Sequence, residues 1–212
     1  MRLTVEAICT GTARPFNGAE TSAIAKRPRE GIVQLLEDGF APDEQADRRV
    51  HGGPEMAVHL YPLDHHAFWR GLLDDPRLLD EPGAFGSNLA VSGIAESAVH
   101  IGDRFRLGSA LIEISQPRQP CWKIEHRFGT KGMVAEIVRS GRCGWYFRVL
   151  ESGDCQAGDT LERTEVGHGE WSVTRTFSCL IGGTATHGEL SELAALERLA
   201  PKLRAKAAAK LS

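Results

Sequence analysis

Glycine followed by a small polar residue recurs just ahead of short apolar runs, and this pattern limits the fold more than any other feature. Gly102-Asp103 opens a strand that Gly108-Ser109 turns back into Ala110 to Ser115, a two-residue hairpin loop with glycine first. Gly158-Asp159 opens another strand in the same manner. Leu3 to Cys9, Ser22 to Lys26, Ile32 to Leu36, Ala57 to Leu60 and Trp145 to Leu150 also read as strands, and Phe85 to Leu89 as a turn entering one. Short strands repeated at this spacing point to a mainly β (α+β) fold, a barrel rather than a parallel α/β sheet.

Helical spacing is confined to a few stretches. Pro62 suits the first turn of a helix running to about Leu73, with Phe68, Leu72 and Leu73 inward. Met133, Val134, Ile137 and Val138 share a helical face that Gly141 would cap. From about Thr164 the character turns helical. Thr186-His-Gly-Glu189 matches a capping box, and Pro201 begins an alanine- and lysine-rich helix. The expected organisation is a barrel over residues 1–163 and a small helical tail over 164–212. Thr10 to Thr21 reads as a loop.

The chain has 212 residues and a formal net charge of -3, enough for one sizeable core and no global attraction to nucleic acid or anionic membrane. The first residues alternate and carry a carboxylate, and no run approaches a membrane span, so a cytoplasmic location is expected. Five cysteines without a Cys-x-x-Cys pair fit neither a disulfide framework nor a zinc ribbon. Cys9, Cys143, Cys155 and Cys179 read as reduced packing residues.

Cys121 stands apart. The alternating run Ala110 to Ser115 delivers the chain to Gln116-Pro-Arg-Gln-Pro-Cys-Trp-Lys123, in which Pro117 and Pro120 stiffen the mount of one sulfur. Arg118 and Lys123 flank it, and nearby positive charge favours thiolate, the nucleophilic and metal-binding form. A small buried hydrophobe is the competing reading.

Other residues carry weaker signals. Gly52 and Gly53 after His51 allow close backbone approach and leave amides to face an anion, though a tight turn explains them equally well. His51 itself fits a general acid, an anion donor or a core histidine. Lys26 reads first as a solvated lysine, and Asn88 as turn chemistry or a ligand-facing amide. His65 and His66 are adjacent, point to different helix faces and are expected at the surface. Arg142 is a permanent planar donor suited to phosphate, and Gly144 permits close approach.

Ser22-Ala-Ile-Ala-Lys26, Asp43-Glu-Gln-Ala-Asp47, Val50-His-Gly-Gly53, Phe85-Gly-x-Asn88-Leu, Ser115-Gln-Pro-Arg-x-Pro-Cys121 and Gly144-Trp145, in this order, resemble the MOSC domain, the molybdenum cofactor sulfurase C-terminal fold. The resemblance is to its stand-alone bacterial form with a three-helix tail. It implies a β-barrel that binds the molybdenum cofactor, a pyranopterin carrying the metal, with Cys121 as the thiolate on molybdenum. Lys26, Arg118, Arg142 and the amides of Gly52 and Gly53 are then candidate partners for the pterin phosphate. Asn88, Gln116 and Gly144 lie in the matching segments and Lys123 lies two residues beyond Cys121; all four join the expected cofactor site.

Members of this group are similar to reductases of N-hydroxylated compounds, notably hydroxylaminopurine bases. His51 is then the expected proton donor. The alternatives are a cofactor carrier module and a sulfur-transfer protein using a Cys121 persulfide. The expected ligand is a small N-hydroxylated molecule, not a nucleic acid polymer or a membrane. No flavin, iron-sulfur or nicotinamide motif stands out, so a separate electron-donor reductase is expected. The resemblance is compatible with a homodimer built on the tail helices. Two positions depart from the family pattern: Ser87, where glutamate is common, and Pro42, where glycine is frequent.

Overall fold

The structure, a computed structural model, describes residues 1–46 and 52–211. Its strands are β1 (Arg2–Thr4), β2 (Ala7–Thr10), β3 (Arg14–Asn17), β4 (Glu20–Ser22), β5 (Arg27–Pro28), β6 (Val33–Leu36), β7 (Gly39–Phe40), β8 (Val58–Pro62), β9 (Leu89–Val91), β10 (Arg104–Leu107), β11 (Ala110–Pro117), β12 (Trp145–Glu151), β13 (Gly153–Cys155) and β14 (Thr160–Glu165). The helices are α1 (His65–Arg70), α2 (Lys123–Phe128), α3 (Met133–Ser140), α4 (Val173–Leu180), α5 (His187–Ala195) and α6 (Pro201–Ala209).

Nine strands form the main sheet in the order β1, β14, β10, β11, β12, β8, β9, β2, β5. Its centre is the hairpin expected at Gly108-Ser109, where Leu107 faces Ala110 across the turn and Gly108 takes a positive φ of 55°. The β8–β9 pair is parallel, so the chain must cross over between them, and α1 lies in that connection. A second sheet holds β13, β6 and β7, and β3 pairs with β4. This sheet-dominated fold with several helices is the class read from the sequence. Among the described residues no helix is long and apolar enough to cross a membrane.

One hydrophobic core joins sheet and tail. Ile112, Ile114, Trp145 and Phe147 of the central strands belong to the same buried cluster as Val173, Phe177, Leu193 and Leu199 of the tail. The capping box at Thr186 forms reciprocally: the Glu189 amide donates to the Thr186 hydroxyl at 3.3 Å, and the Thr186 amide to the Glu189 carboxylate at 2.9 Å.

Several expectations are corrected. Pro62 closes β8 instead of opening a helix, because it sits opposite Val91 and the Leu63 amide continues the ladder to Val91 O at 3.0 Å. The helix is therefore short. Trp69 is its buried anchor, while Leu72 is 52% exposed. His65 and His66 are buried, since each found an internal partner: Glu96 for His65 and the Leu79 carbonyl for His66. Thr10 to Thr21 is not all loop but contains most of the β3–β4 hairpin. Phe16 of that hairpin packs against Trp122 and His126, with ring centroids 5.9 Å and 4.6 Å apart, a long-range contact that local pattern does not encode. Strand structure resumes at Arg27, just after the Ser22 to Lys26 stretch. The helix α2, capped by Gly129 at φ 64°, was not expected.

Removing the cap hydroxyl should weaken the tail's attachment to the core. Thr186→Ala is expected to lower the unfolding free energy by about 1 kcal/mol, read as a lower urea midpoint at constant slope.

Candidate active site

The strand β11 places the cysteine. Pro117 is its last residue, opposite Trp145 of β12, and one further backbone bond runs from the Arg118 amide to Gly144 O at 3.0 Å. The chain then turns, and the Ile124 amide donates to Cys121 O at 3.1 Å at the start of α2. Cys121 is half-buried, unlike the four other cysteines, which are buried. It faces a cavity that also reaches Lys26, Asp43, His59, Arg118 and Tyr146.

Asp43 organises one wall. Its carboxylate pairs with the Lys26 ammonium and accepts from the Gly11 amide at 2.7 Å and the Asn88 side-chain amide at 2.9 Å. Asn88 is buried; it also donates to Cys9 O at 3.1 Å and accepts from the His59 amide at 3.0 Å. Lys26 is therefore no solvated lysine. Burial lowers its pKa while Asp43 pulls it back up.

The opposite wall is aromatic and cationic. Arg118 is 5% exposed, and its Nη1 has no hydrogen-bond partner among the described residues. His59 Nδ1 lies 3.2 Å from Gly86 O, so that nitrogen carries the proton and Nε2 keeps an unpartnered lone pair. Burial, with Arg118 adding repulsion, holds the His59 pKa well below its ordinary value. Burial likewise raises the Tyr146 phenol, against the pull of Arg118. Lys123 is buried at the rim, with Nζ 3.4 Å from Thr21 O and 3.9 Å from a Glu20 carboxylate oxygen.

The structure thus brings Lys26, Gly52, Asn88, Arg118, Cys121 and Lys123 to one cavity. Four expected residues stand apart from its wall. The Gly53 amide is already bonded to Gln45 Oε1 at 3.0 Å, and Gln116 pairs with Tyr146 within the sheet. The Arg142 guanidinium stacks over the Phe68 ring at 4.0 Å. Gly144 supports from behind: its φ is 69°, and an added Cβ would come within 2.5 Å of Leu60 O and 3.1 Å of His59 Nε2. His51 lies outside the described residues. Ser87 is buried and donates to Pro82 O at 3.2 Å, and Pro42 sits in the turn that the Asp43 amide closes onto Phe40 O at 2.8 Å.

Asp43, His59 and Tyr146 are site residues that the sequence reading did not single out. Asp43 was visible only inside a quoted motif, and His59 and Tyr146 look like ordinary strand residues. The four packing cysteines behave as expected: burial pushes Cys9 and Cys155 up to about 12 and Cys143 well above its ordinary value.

A model of the MOSC domain matches residues 47–162. The chain is 41% identical over 178 residues to the uncharacterised protein YflK of Bacillus subtilis (strain 168), covering 84% of this chain and 76% of that protein. It is 38% identical over 162 residues to YiiM of Escherichia coli (strain K12), covering 76% and 72%. A protein of Gibberella moniliformis (strain M3125 / FGSC 7600) named a reductase is 40% identical over 159 residues, which are 74% of this chain but 28% of that protein. Among solved structures, YiiM of Geobacillus stearothermophilus superposes with TM-score 0.84 at 26% identity, covering 99% of this chain and 100% of that one.

The buried histidines should make stability depend on pH. An unfolded histidine protonates near 6.5, whereas folded His59 stays neutral there, so below that value the unfolded state binds more protons. Stability should therefore fall as pH drops below 6.5, by up to about 1.4 kcal/mol per pH unit for such a group. Urea unfolding should show this slope, and His59→Gln should flatten it.

Proposed function

The chain belongs to the MOSC domain family, and from that premise we propose that it is a molybdenum-cofactor-dependent reductase of N-hydroxylated compounds with Cys121 as the thiolate ligand to the metal. The family is associated with binding of the molybdenum cofactor, and a relative carries the name reductase. The observation that carries the reading is the half-buried Cys121 on the wall of a cavity also lined by Arg118, whose buried Nη1 has no hydrogen-bond partner among the described residues.

The residues present fit such a group. Among the described residues no three His, Cys, Asp or Glu side chains converge as a metal site, so the protein offers one soft ligand to a centre that brings its own others. Buried cations beside the thiol suit an anionic partner. When bound, the molybdenum centre supplies two-electron redox chemistry.

The chain's own residues position and protonate. Reduction of a hydroxylamino group to an amine takes two electrons and two protons and releases water, so the site needs proton donors. His59 is neutral at its buried position and acts as an acceptor, holding a ligand N–H or O–H at Nε2. His51, on the segment after Ala46, is the proton donor in this proposal. Pro117 at the end of β11 and Pro120 in the turn after it stiffen the mount of the thiol and lower the cost of keeping it aimed at the cavity. Electrons come from a separate donor protein.

Protein made in a cofactor-competent host should contain molybdenum and pterin, and should reduce hydroxylaminopurine with an artificial electron donor. Cys121→Ala should keep its circular dichroism, lose the metal, and lose activity by about 100-fold or more. Full activity in that variant would defeat the proposal, and bound cofactor without turnover would instead make the protein a carrier.

A further inference from the structure

We infer that Arg118 is the anion anchor of the cavity: its buried guanidinium is built to receive a compact oxyanion of the phosphate type. Lys26, Lys123 and Arg142 are already committed to internal partners. The ligand's identity as part of a cofactor rests on the function proposed above; the anchor itself rests on the charges at the cavity wall.

The cationic side chains of this region are not equivalent. Lys26 is neutralised by Asp43, and that carboxylate is itself held by Gly11 and Asn88, so releasing Lys26 would break a closed network. Lys123 is satisfied at the rim by Thr21 O and Glu20. Arg142 lies over Phe68 and does not reach the wall. Arg118 alone among them has neither a carboxylate nor a ring, as far as the described residues show. The neutral Tyr146 phenol feels its charge, and among the described residues Nη1 has no hydrogen-bond partner.

A buried charge is costly unless an opposite charge and hydrogen bonds compensate it. A guanidinium offers parallel donors that match two oxygens of a phosphate, which a lysine cannot do. The backbone holds this fork still: the Arg118 amide is bonded to Gly144 O, and the Gly144 amide to the buried Glu96 carboxylate at 2.7 Å. Three residues further on comes Cys121, so one rigid turn presents both the thiol and the anion site.

The test uses the full chain from a host that makes no cofactor, titrated with inorganic phosphate by calorimetry and followed by thermal shift. Wild type should bind phosphate and gain thermal stability. R118Q should bind about tenfold or more weakly and R118K should fall between, because it keeps the charge but not the fork. K123Q should stay within about threefold of wild type, its charge being near the rim and already paired. In phosphate-free buffer R118Q should be at least as stable to urea as wild type, since an uncompensated charge is removed. A nucleoside monophosphate titrated in parallel separates the sources: tighter binding than phosphate marks a heterocyclic phosphate monoester, and equal binding marks the free ion. No phosphate binding by wild type, undiminished binding by folded R118Q, or an equal loss in K123Q would each overturn the assignment. Metal content in Cys121→Ala is a separate measurement, so the anchor and the reductase reading can fail independently.

Discussion

The backbone bond between Arg118 and Gly144 is the point on which the cavity depends. It extends the β11–β12 ladder by one step beyond Pro117, a residue with no amide of its own to give. Past it the chain leaves the sheet, carrying the guanidinium and the thiol into the same space. Gly144 can serve there because its positive φ and missing Cβ let the turn lie against Leu60 and His59. Its amide is held by Glu96, which His65 Nε2 approaches to 2.9 Å. A polar strut buried behind the wall thus fixes the position of the residues in front of it.

The tail helps to brace this same strand. The Ala200 amide, one residue before α6, donates to Ser115 O at 2.9 Å, and the Ser115 hydroxyl lies 3.1 Å from Tyr146 O. Arg198 pairs with Glu165 at 2.6 Å, and its carbonyl accepts from Arg148 at 2.9 Å. Arg148 in turn bonds the buried Glu113 carboxylate at 2.6 Å, with Arg104 on its other oxygen at 2.8 Å. Alternating charges around one buried carboxylate satisfy every partner, so their burial is tolerable where an isolated one would not be. The network holds the tail to the strand that delivers Cys121, and the expected division after residue 163 falls inside β14.

Where the sequence was legible, the information was local. The Gly108 hairpin, the capping box at Thr186, the Gly141 cap of α3 and the proline-bracketed mount of Cys121 each follow from a few consecutive residues. Partners distant in sequence were not legible. His65 and His66 looked like surface residues because Glu96 and Leu79 lie far along the chain. Lys26 looked solvated for the same reason, its partner Asp43 being brought to it by folding. Phe16 appeared to sit in a loop until α2 supplied Trp122 and His126 as its seat.

For the cations, too, surroundings decide more than residue type. Arg142 and Arg118 are chemically alike, and both were candidates for an anion. Their difference is set by neighbours: Phe68 offers the first a ring face, which a cation accepts in place of an anion. Among the described residues the second finds no carboxylate and no ring face, only the influence of a phenol and of an imidazole whose charge is suppressed. In a folded protein, then, the cation that signals a ligand is the one whose burial the chain itself leaves uncompensated, and this is a property of the assembled wall that neither residue type nor spacing can carry.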